Sequence, residues 1–363
     1  MKKVLLAIML FTGIGSVSAL GLKIESLTWM DISKSYSISN VDFNATNGGS
    51  FNIARQYITI QGDLSDMVKA RMTLDIVNGL NMLKYAYVDW KIMPELVVTL
   101  GLQKTFFGNL PSWEYPLPIK DVTEIDSDLT ATASADLGIA FGGNIAKMLD
   151  YHIQFLNGEG YKTWNVINNS LWAVIADVNV TPIEKMLKVG LSVRYADKES
   201  KKFSSDLGGL TMTIASFGAA AYADFKLDAL NVNLQFISIN NRMYADTNNF
   251  NGNVISAFVS YDIFKELSVM VRFDMMDPYI HTDMTNDNYS ALYAGLGIKP
   301  VKGLTLKPMV ALMFGQKYNS NMNKANLTLK LEAEYKFGAE IIKEEKKPEA
   351  PKPIEAEVAP EVK

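Results

Sequence analysis

The 363-residue chain has no cysteine and only two histidines, His152 and His281. Disulfides and thiolate metal sites are therefore excluded. Neither histidine has a serine or cysteine at a spacing that suggests a nucleophile and its base. His281 with Asp277, Asp283 and Asp287 could form a metal site or an acidic, solvated loop, and the solvated loop is preferred. Arginine is scarce, at five residues. No cofactor and no enzymatic role are expected. Past the first residues there is no apolar run near the ~20 that a spanning helix needs. No charge of one sign dominates. The +2 of the first 19 residues and the −2 of the last 25 cancel, so residues 20–338 keep the chain's net −4. That weak charge argues against nucleic acid as a partner.

The two ends differ from the body. The opening "MKKVLLAIMLFTGIGSVSA" pairs Lys2 and Lys3 with a short apolar stretch and small residues at Val17 and Ala19. This reads as a signal peptide over 1–19, cleaved after Ala19. Residues 339–363 hold seven Glu, five Lys and four Pro, with no aromatic residue. Such a segment buries too little surface to offset its chain entropy and is expected to be a disordered tail. It reads as a plain linker end or as a tether to the cell wall.

What fills the body is alternation. Residues 83–108, "LKYAYVDWKIMPELVVTLGLQKTFFG", set Ala86, Val88, Trp90 and Ile92 against Tyr85, Tyr87, Asp89 and Lys91. The beat resumes after Pro94-Glu95 with Leu96, Val98, Leu100 and Leu102. It recurs at 68–76, 188–195 and 327–337. Period two means strands with one apolar and one polar face. Seven tight turns fall at 62–66, 93–95, 144–149, 181–186, 227–230, 264–267 and 300–303. Eight longer links separate them, at 37–50, 77–82, 105–134, 157–169, 197–210, 241–252, 278–288 and 315–325. Fifteen connections join sixteen strands of about 9–11 residues, enough to cross a bilayer when tilted.

A two-sheet sandwich would also alternate, but its strands average only ~5–6 residues. Aromatic residues bracket the apolar faces. Trp90, Tyr261, Tyr335 and Phe337 lie toward the turns, and Trp172, Tyr195, Phe273 and Phe314 toward the loops. Lys330, Tyr335 and Phe337 also follow the spacing of a barrel-assembly signal, with Glu332 where glycine is usual. The predicted fold is all-β, a 16-stranded antiparallel transmembrane β-barrel over 20–338, with short periplasmic turns and longer extracellular loops. Its apolar faces meet outer-membrane lipid. Because an open sheet edge cannot face hydrocarbon, the ribbon closes. Sixteen strands enclose more space than side chains fill, so an aqueous channel is expected.

The longest link, 105–134, carries Glu114, Asp121, Glu124, Asp126 and Asp128 against one Lys120. Links this long are usually functional. The strand after it offers Gly138, Ala140 and Gly142 inward, room for a loop to pack. Residues 108–130 are expected to enter the barrel and narrow it. Arg55, Arg71, Arg194 and Arg272 fall on inward positions, joined by Lys69, Lys91, Lys188 and Lys307. Acid on the loop facing base on the wall would set a transverse field that tunes ion selectivity; local pairing of the same charges is the other reading. Small residues at 216–225, "SFGAAAYADF", would allow close contact between copies, as in a trimer, or mark a weak strand.

The stretch 57–108 resembles the porin O/P family of phosphate-selective porins. The "YITIQGDLSDMVKARMTLDI" hairpin, Ala86-Tyr87-Val88, the Pro94-Glu95-Leu96 turn, and Gly101 with Gln103 and Lys104 carry the resemblance. It implies a sixteen-stranded outer-membrane channel, a homotrimer in which each barrel passes solute. The acidic loop departs from a basic constriction, so general passive diffusion of small hydrophilic solutes or ions is expected, not phosphate selection. A barrel that only displays surface loops, as an adhesin, is the alternative.

Overall fold

A computed structural model describes residues 21–38, 43–45, 49–77, 83–108, 133–158, 160–161, 172–202, 211–243, 249–277, 289–315 and 325–342. The expected signal peptide lies outside them, as does all but the first four residues of the expected tail. Among the described residues seventeen strands and no helix form one sheet. The strands are β1 (Gly21–Ile38), β2 (Phe43–Ala45), β3 (Ser50–Asp63), β4 (Val68–Asp75), β5 (Leu83–Met93) and β6 (Leu96–Lys104). Next come β7 (Ala135–Ile145), β8 (Leu149–Leu156), β9 (Trp172–Ile183), β10 (Leu187–Lys202), β11 (Thr211–Leu227) and β12 (Leu230–Met243). The rest are β13 (Asn249–Phe264), β14 (Leu267–Asp277), β15 (Tyr289–Val301), β16 (Leu304–Gly315) and β17 (Ala325–Ile342).

β2 is no separate stave. It pairs only with the last three residues of β1, directly above the stretch of β1 that β3 occupies. Sixteen staves remain, each antiparallel to the next. β1 pairs with β17 from Leu22↔Ile342 to Ile38↔Ala325, so the sheet closes on itself. Closure satisfies the backbone of both edge strands, which hydrocarbon would otherwise leave bare.

The tight turns fall where composition placed them, at 64–67, 94–95, 146–148, 184–186, 228–229, 265–266 and 302–303. Ala146 and Lys147 both take positive φ, 53° and 58°. Two successive left-handed residues match the twist of the flanking strands and close the hairpin in minimal length. Strand lengths depart from expectation. They run from 8 residues in β4 to 18 in β1 and β17. β10 continues through 197–202 of an expected link, and β17 runs to Ile342, four residues past the expected barrel end. Backbone pairing holds these segments extended where polar side chains had suggested loop.

Facing follows the period of two. On β14, Ser268, Met270, Arg272, Asp274 and Met276 are buried, while Val271, Phe273 and Met275 between them are exposed. Every aromatic residue named for the two girdles is exposed: Trp90, Tyr261, Tyr335 and Phe337 near the turns, Trp172, Tyr195, Phe273 and Phe314 near the loops. Exposed rows of Leu, Val, Ile and Phe around the whole sheet are unstable in water at this extent. They fit a hydrocarbon solvent bounded by two interfaces.

Depth should therefore set the cost of a charge on this face. Leu191→Arg, inside the belt, is expected to destabilise the barrel by about 2–4 kcal/mol. Val301→Arg, beside a tight turn, should cost about 0–1 kcal/mol. Denaturant unfolding in lipid vesicles measures both.

Candidate functional site

The inner wall is organised by charge. Along the inward positions of β17 and its neighbours the signs alternate. Asp31 pairs with Lys330 at 3.0 Å, and Lys330 reaches Glu332 at 4.0 Å. Lys307 bonds Glu332 at 3.3 Å and Glu334 at 2.6 Å, and Glu334 also holds Lys336 at 2.8 Å. Lys307 is 2% exposed. A charge buried so deeply persists only when opposite charge and hydrogen bonds surround it. The ladder supplies both on each side.

Next to the ladder lies a patch where cations rest on aromatic rings. The Arg55 guanidinium sits 4.0 Å from the centre of the Trp29 ring and 5.1 Å from that of Tyr57. Lys307 approaches the same Trp29 ring at 4.9 Å. Arg71 lies 5.0 Å from the Tyr85 ring and donates from Nε to Thr73 Oγ1 at 3.2 Å. Lys84 donates to Tyr57 Oη at 2.6 Å and lies over the Tyr57, Tyr85 and Tyr161 rings. Ring faces carry negative potential, so they hold a cation in place while consuming little of its charge. The patch borders a cavity of about 690 Å³ that also reaches Glu25, Thr59, Lys104 and Glu334.

A third assembly receives the chain as it leaves β6. The segment Thr105–Gly108 turns inward and runs across the wall toward β12. Phe106 N–H donates to Gln154 Oε1 at 2.7 Å, and its ring stacks on His152 with centres 3.7 Å apart. Phe107 is fully buried among Ile175, Ala196, Ala220, Ile237 and neighbours. Gly218 makes this possible: a Cβ there would come within 2.8 Å of the Phe107 ring. Gly108 N–H donates to Ser192 Oγ at 2.9 Å, and Ser192 Oγ donates to Asp177 Oδ1 at 2.7 Å. Tyr222 Oη and Asn179 Nδ2 donate to the same carboxylate at 3.0 and 3.3 Å. The Tyr222 ring crosses Gly190, where a side chain would collide with it. His152 Nδ1 stands 3.7 Å from Asp177 Oδ2. Ser192 thus bonds the carboxylate and not the imidazole, which makes the group a polar anchor. At the stem, Thr105 Oγ1 donates to the Ala133 carbonyl at 2.5 Å, which ties the two ends of the long link together.

The residues expected to line a constriction do not form one ring. Arg55 and Arg71 share the cavity. Lys69 lies exposed and pairs with Asp63 at 3.1 Å. Arg194 is buried on β10, across from Gly218 on β11 and Ile175 on β9, seven staves round from β3. Arg272, 1% exposed, bonds Asp274 at 2.7 and 2.9 Å and lies over Tyr293. That is local pairing within β14. Glu114, Asp121, Glu124, Asp126 and Asp128 lie outside the described residues, as do His281, Asp283 and Asp287. Among the small inner positions of β7, Gly142 leaves room for the His152 ring, on which Phe106 stacks.

Three participants escape the sequence pattern. Lys84 falls on the lipid side of a strict alternation. A bulge, where Thr73↔Tyr85 is followed by Leu74↔Leu83, turns it into the lumen, 4% exposed. Trp29 faces inward although it is apolar, in phase with Asp31 on β1, and Arg55 and Lys307 lie on its ring. Asp177 gains its role from β8, β10 and β11 together, which no local spacing reveals.

No family model and no curated protein matches the chain in sequence. Solved structures do match. OmpT folded in vitro, an outer membrane protein of Vibrio cholerae, superposes with a TM-score of 0.64 at 10% identity, over 90% of this chain and 100% of that one. An anion-selective porin from Comamonas acidovorans gives 0.62 at 9% identity, over 87% and 100%. The outer membrane channel DcaP of Acinetobacter baumannii gives 0.59 at 13% identity, over 89% and 99%. The likeness is one of fold: a closed barrel of the outer-membrane type.

The anchor can be graded by substitution. Ser192→Ala removes two bonds, to the Gly108 amide and to Asp177; loss of the first, worth about 0.5–1.5 kcal/mol, should speed hydrogen exchange at the Gly108 amide roughly two- to tenfold. Phe107→Ala empties a closed apolar pocket, a loss of about 3–5 kcal/mol in cores. It should free 105–108 much further, visible as faster exchange across the segment while β9–β12 stay protected.

Proposed function

We propose that this protein is an outer-membrane porin through which small hydrophilic solutes or ions diffuse passively. One observation carries the reading: a closed ring of staves with an apolar exterior and an ion-paired, largely polar interior. The exterior fixes the molecule in lipid, and the interior keeps a wet path open to polar solutes. No chemical step is required of the chain. Selection comes from width and from the charges that a solute passes.

The resemblance of 57–108 to the porin O/P family supports assigning the chain there. The inward course of Thr105–Gly108, pinned by Phe107 and the Asp177 group, supports a constriction formed by the link that follows, about 108–130. Arg55 and Arg71 then face the path from the wall, with Lys69, Arg194 and Arg272 shaping the field from their separate positions. Glu114, Asp121, Glu124, Asp126 and Asp128 would supply the opposing charge. On the outside, Ala221 and Ala223 of β11 floor a shallow groove walled by Val189, Leu191, Leu234 and Phe236. Such a groove suits the close approach of a second copy, which supports a homotrimer. Residues 1–19 would be removed on export, and the part of the tail after Ile342 would extend from the last stave, as a linker end or toward the cell wall.

Planar-bilayer recording of the purified mature chain tests the reading. Stable open channels of nanosiemens scale are expected; a barrel that merely displays loops gives none. Replacing Arg55 and Arg71 together with glutamine should move the reversal potential in a salt gradient toward cation preference. An unchanged potential would remove these two residues from the selectivity mechanism.

A further inference from the structure

We propose that His152 is an acid-strengthened latch: on taking up a proton it grips Phe106 and Asp177 together and tightens the hold on Thr105–Gly108. The inference concerns the wall itself and stands whether or not solute passes.

The first ground is an unused atom. His152 Nδ1 is buried, and among the described residues it has no hydrogen-bond partner; Asp177 Oδ2 stands 3.7 Å away. A charge-assisted bond would close that gap to about 2.7–2.9 Å, a ring movement of roughly 1 Å. The His152 side chain is 26% exposed, so a proton can reach it. The second ground is the carboxylate. Asp177 is 3% exposed, and the bonds it accepts from Ser192, Tyr222 and Asn179 all come from neutral donors. Among the described residues the one basic side chain within ion-pair reach of it is His152. A buried carboxylate gains from a close opposite charge, and an imidazolium brings one without displacing a donor. The third ground is the stack. The Phe106 and His152 rings lie 3.7 Å apart and 6° from parallel. A cation over a ring face is drawn to it by the negative potential there. One proton therefore strengthens two contacts, the ring face toward Phe106 and the ring edge toward Asp177.

Histidine is the side chain that ordinarily changes charge between about pH 5 and 8. Carboxylates ordinarily do so below that range, and lysine, arginine and tyrosine above it. The other groups around this ring are of those kinds. β7 offers uncharged Gly142 beside the ring and Asp136 further along, held by the Leu137 and Gly158 amides. β8 itself adds Asp150, bonded by Asn144 at 2.6 Å. β10 brings Lys188, 5.8 Å from the centre of the Tyr222 ring, and Arg194, opposite Ile175 on β9. β11 brings Tyr222 and Asp224, the latter bonded by Asn233. The stem of the link brings Lys104, 5.7 Å from the centre of the Phe106 ring. The extra hold is thus present where histidine is charged and is lost as the pH rises through histidine's range.

The test follows hydrogen exchange at Phe106–Gly108 in the full-length mature barrel in detergent micelles, each rate divided by the intrinsic rate at that pH. Protection at about pH 5.5 should exceed that at about pH 7.5 roughly three- to tenfold. Carbon-13 NMR of the His152 imidazole reports its protonation in the same sample, and the two midpoints should coincide. His152→Gln should flatten the response, whereas His281→Gln, which removes the other histidine, should keep it. Asp177→Asn keeps an acceptor for Ser192 and Tyr222 but loses the charge, and it should at least halve the response. Phe106→Leu should do the same by removing the ring. Heat-modifiable migration on gels verifies that each variant is folded. Equal protection at both pH values, a response that persists in folded His152→Gln, or a midpoint apart from that of the imidazole would overturn the proposal. The same preparation goes into bilayers. Open channels with a flat exchange response defeat this inference alone, and a full response without conductance defeats the passage reading alone.

Discussion

Each stave must satisfy two solvents at once, and a pleated chain can do so only by assigning alternate residues to each. Every other property follows from that division. A face of Leu, Val and Phe is stable against hydrocarbon only if the backbone behind it has no open edge. A face of Arg, Lys, Asp and Glu is stable inside only if the ring is wide enough for water or the charges are paired. The barrel meets the second condition by pairing. Lys307, Arg272 and Glu332 are almost fully buried, each within reach of opposite charge. The interior is thus less a bare tube than a wall with built-in order, and the cation-bearing rings are part of that order.

Two kinds of contact shape this interior, and they act differently. The β17 ladder joins acid to base on adjacent staves, which fixes local register and nearly cancels its own field. The Trp29–Arg55–Tyr57 group joins base to ring, which fixes the position of the guanidinium. Where the first dominates, as at Arg272–Asp274, the pair largely neutralises itself. Arginines that look equivalent along the chain therefore differ in effect. Lipophilic surface intrudes as well: Phe258, Met270, Tyr293 and Met309 form a buried apolar cluster on the inner wall.

Architecture was legible in the sequence because it depends on a periodic signal repeated over sixteen segments. Turn positions and outward aromatic residues were legible for the same reason. What escaped depends on single departures from the period. Lys84 is turned inward by one extra residue in a ladder, and nothing in "LKYAYV" announces the bulge. Trp29 keeps the period but puts an apolar ring on the polar face, where it meets two cations whose neighbourhood exists only in three dimensions. The Asp177 group joins residues from β8 to β11 with an amide from beyond β6. The anchoring of Phe107 was foreshadowed only as small residues in "SFGAAAYADF", where the inward Gly218 is the one that matters and the outward alanines belong to another surface. Arginine count correctly pointed inward, yet spacing could not separate an arginine resting on tryptophan from one locked to aspartate.

The pairing of β1 with β17 has a kinetic consequence. These neighbours are the most distant strands in the chain, so the seam between them closes an enormous loop, and its entropic cost precedes its reward. Until residues 325–342 have emerged, every intermediate carries two raw margins able to stick to any passing strand. A nascent copy must therefore be chaperoned as a whole, and its commitment to the membrane waits on its final segment.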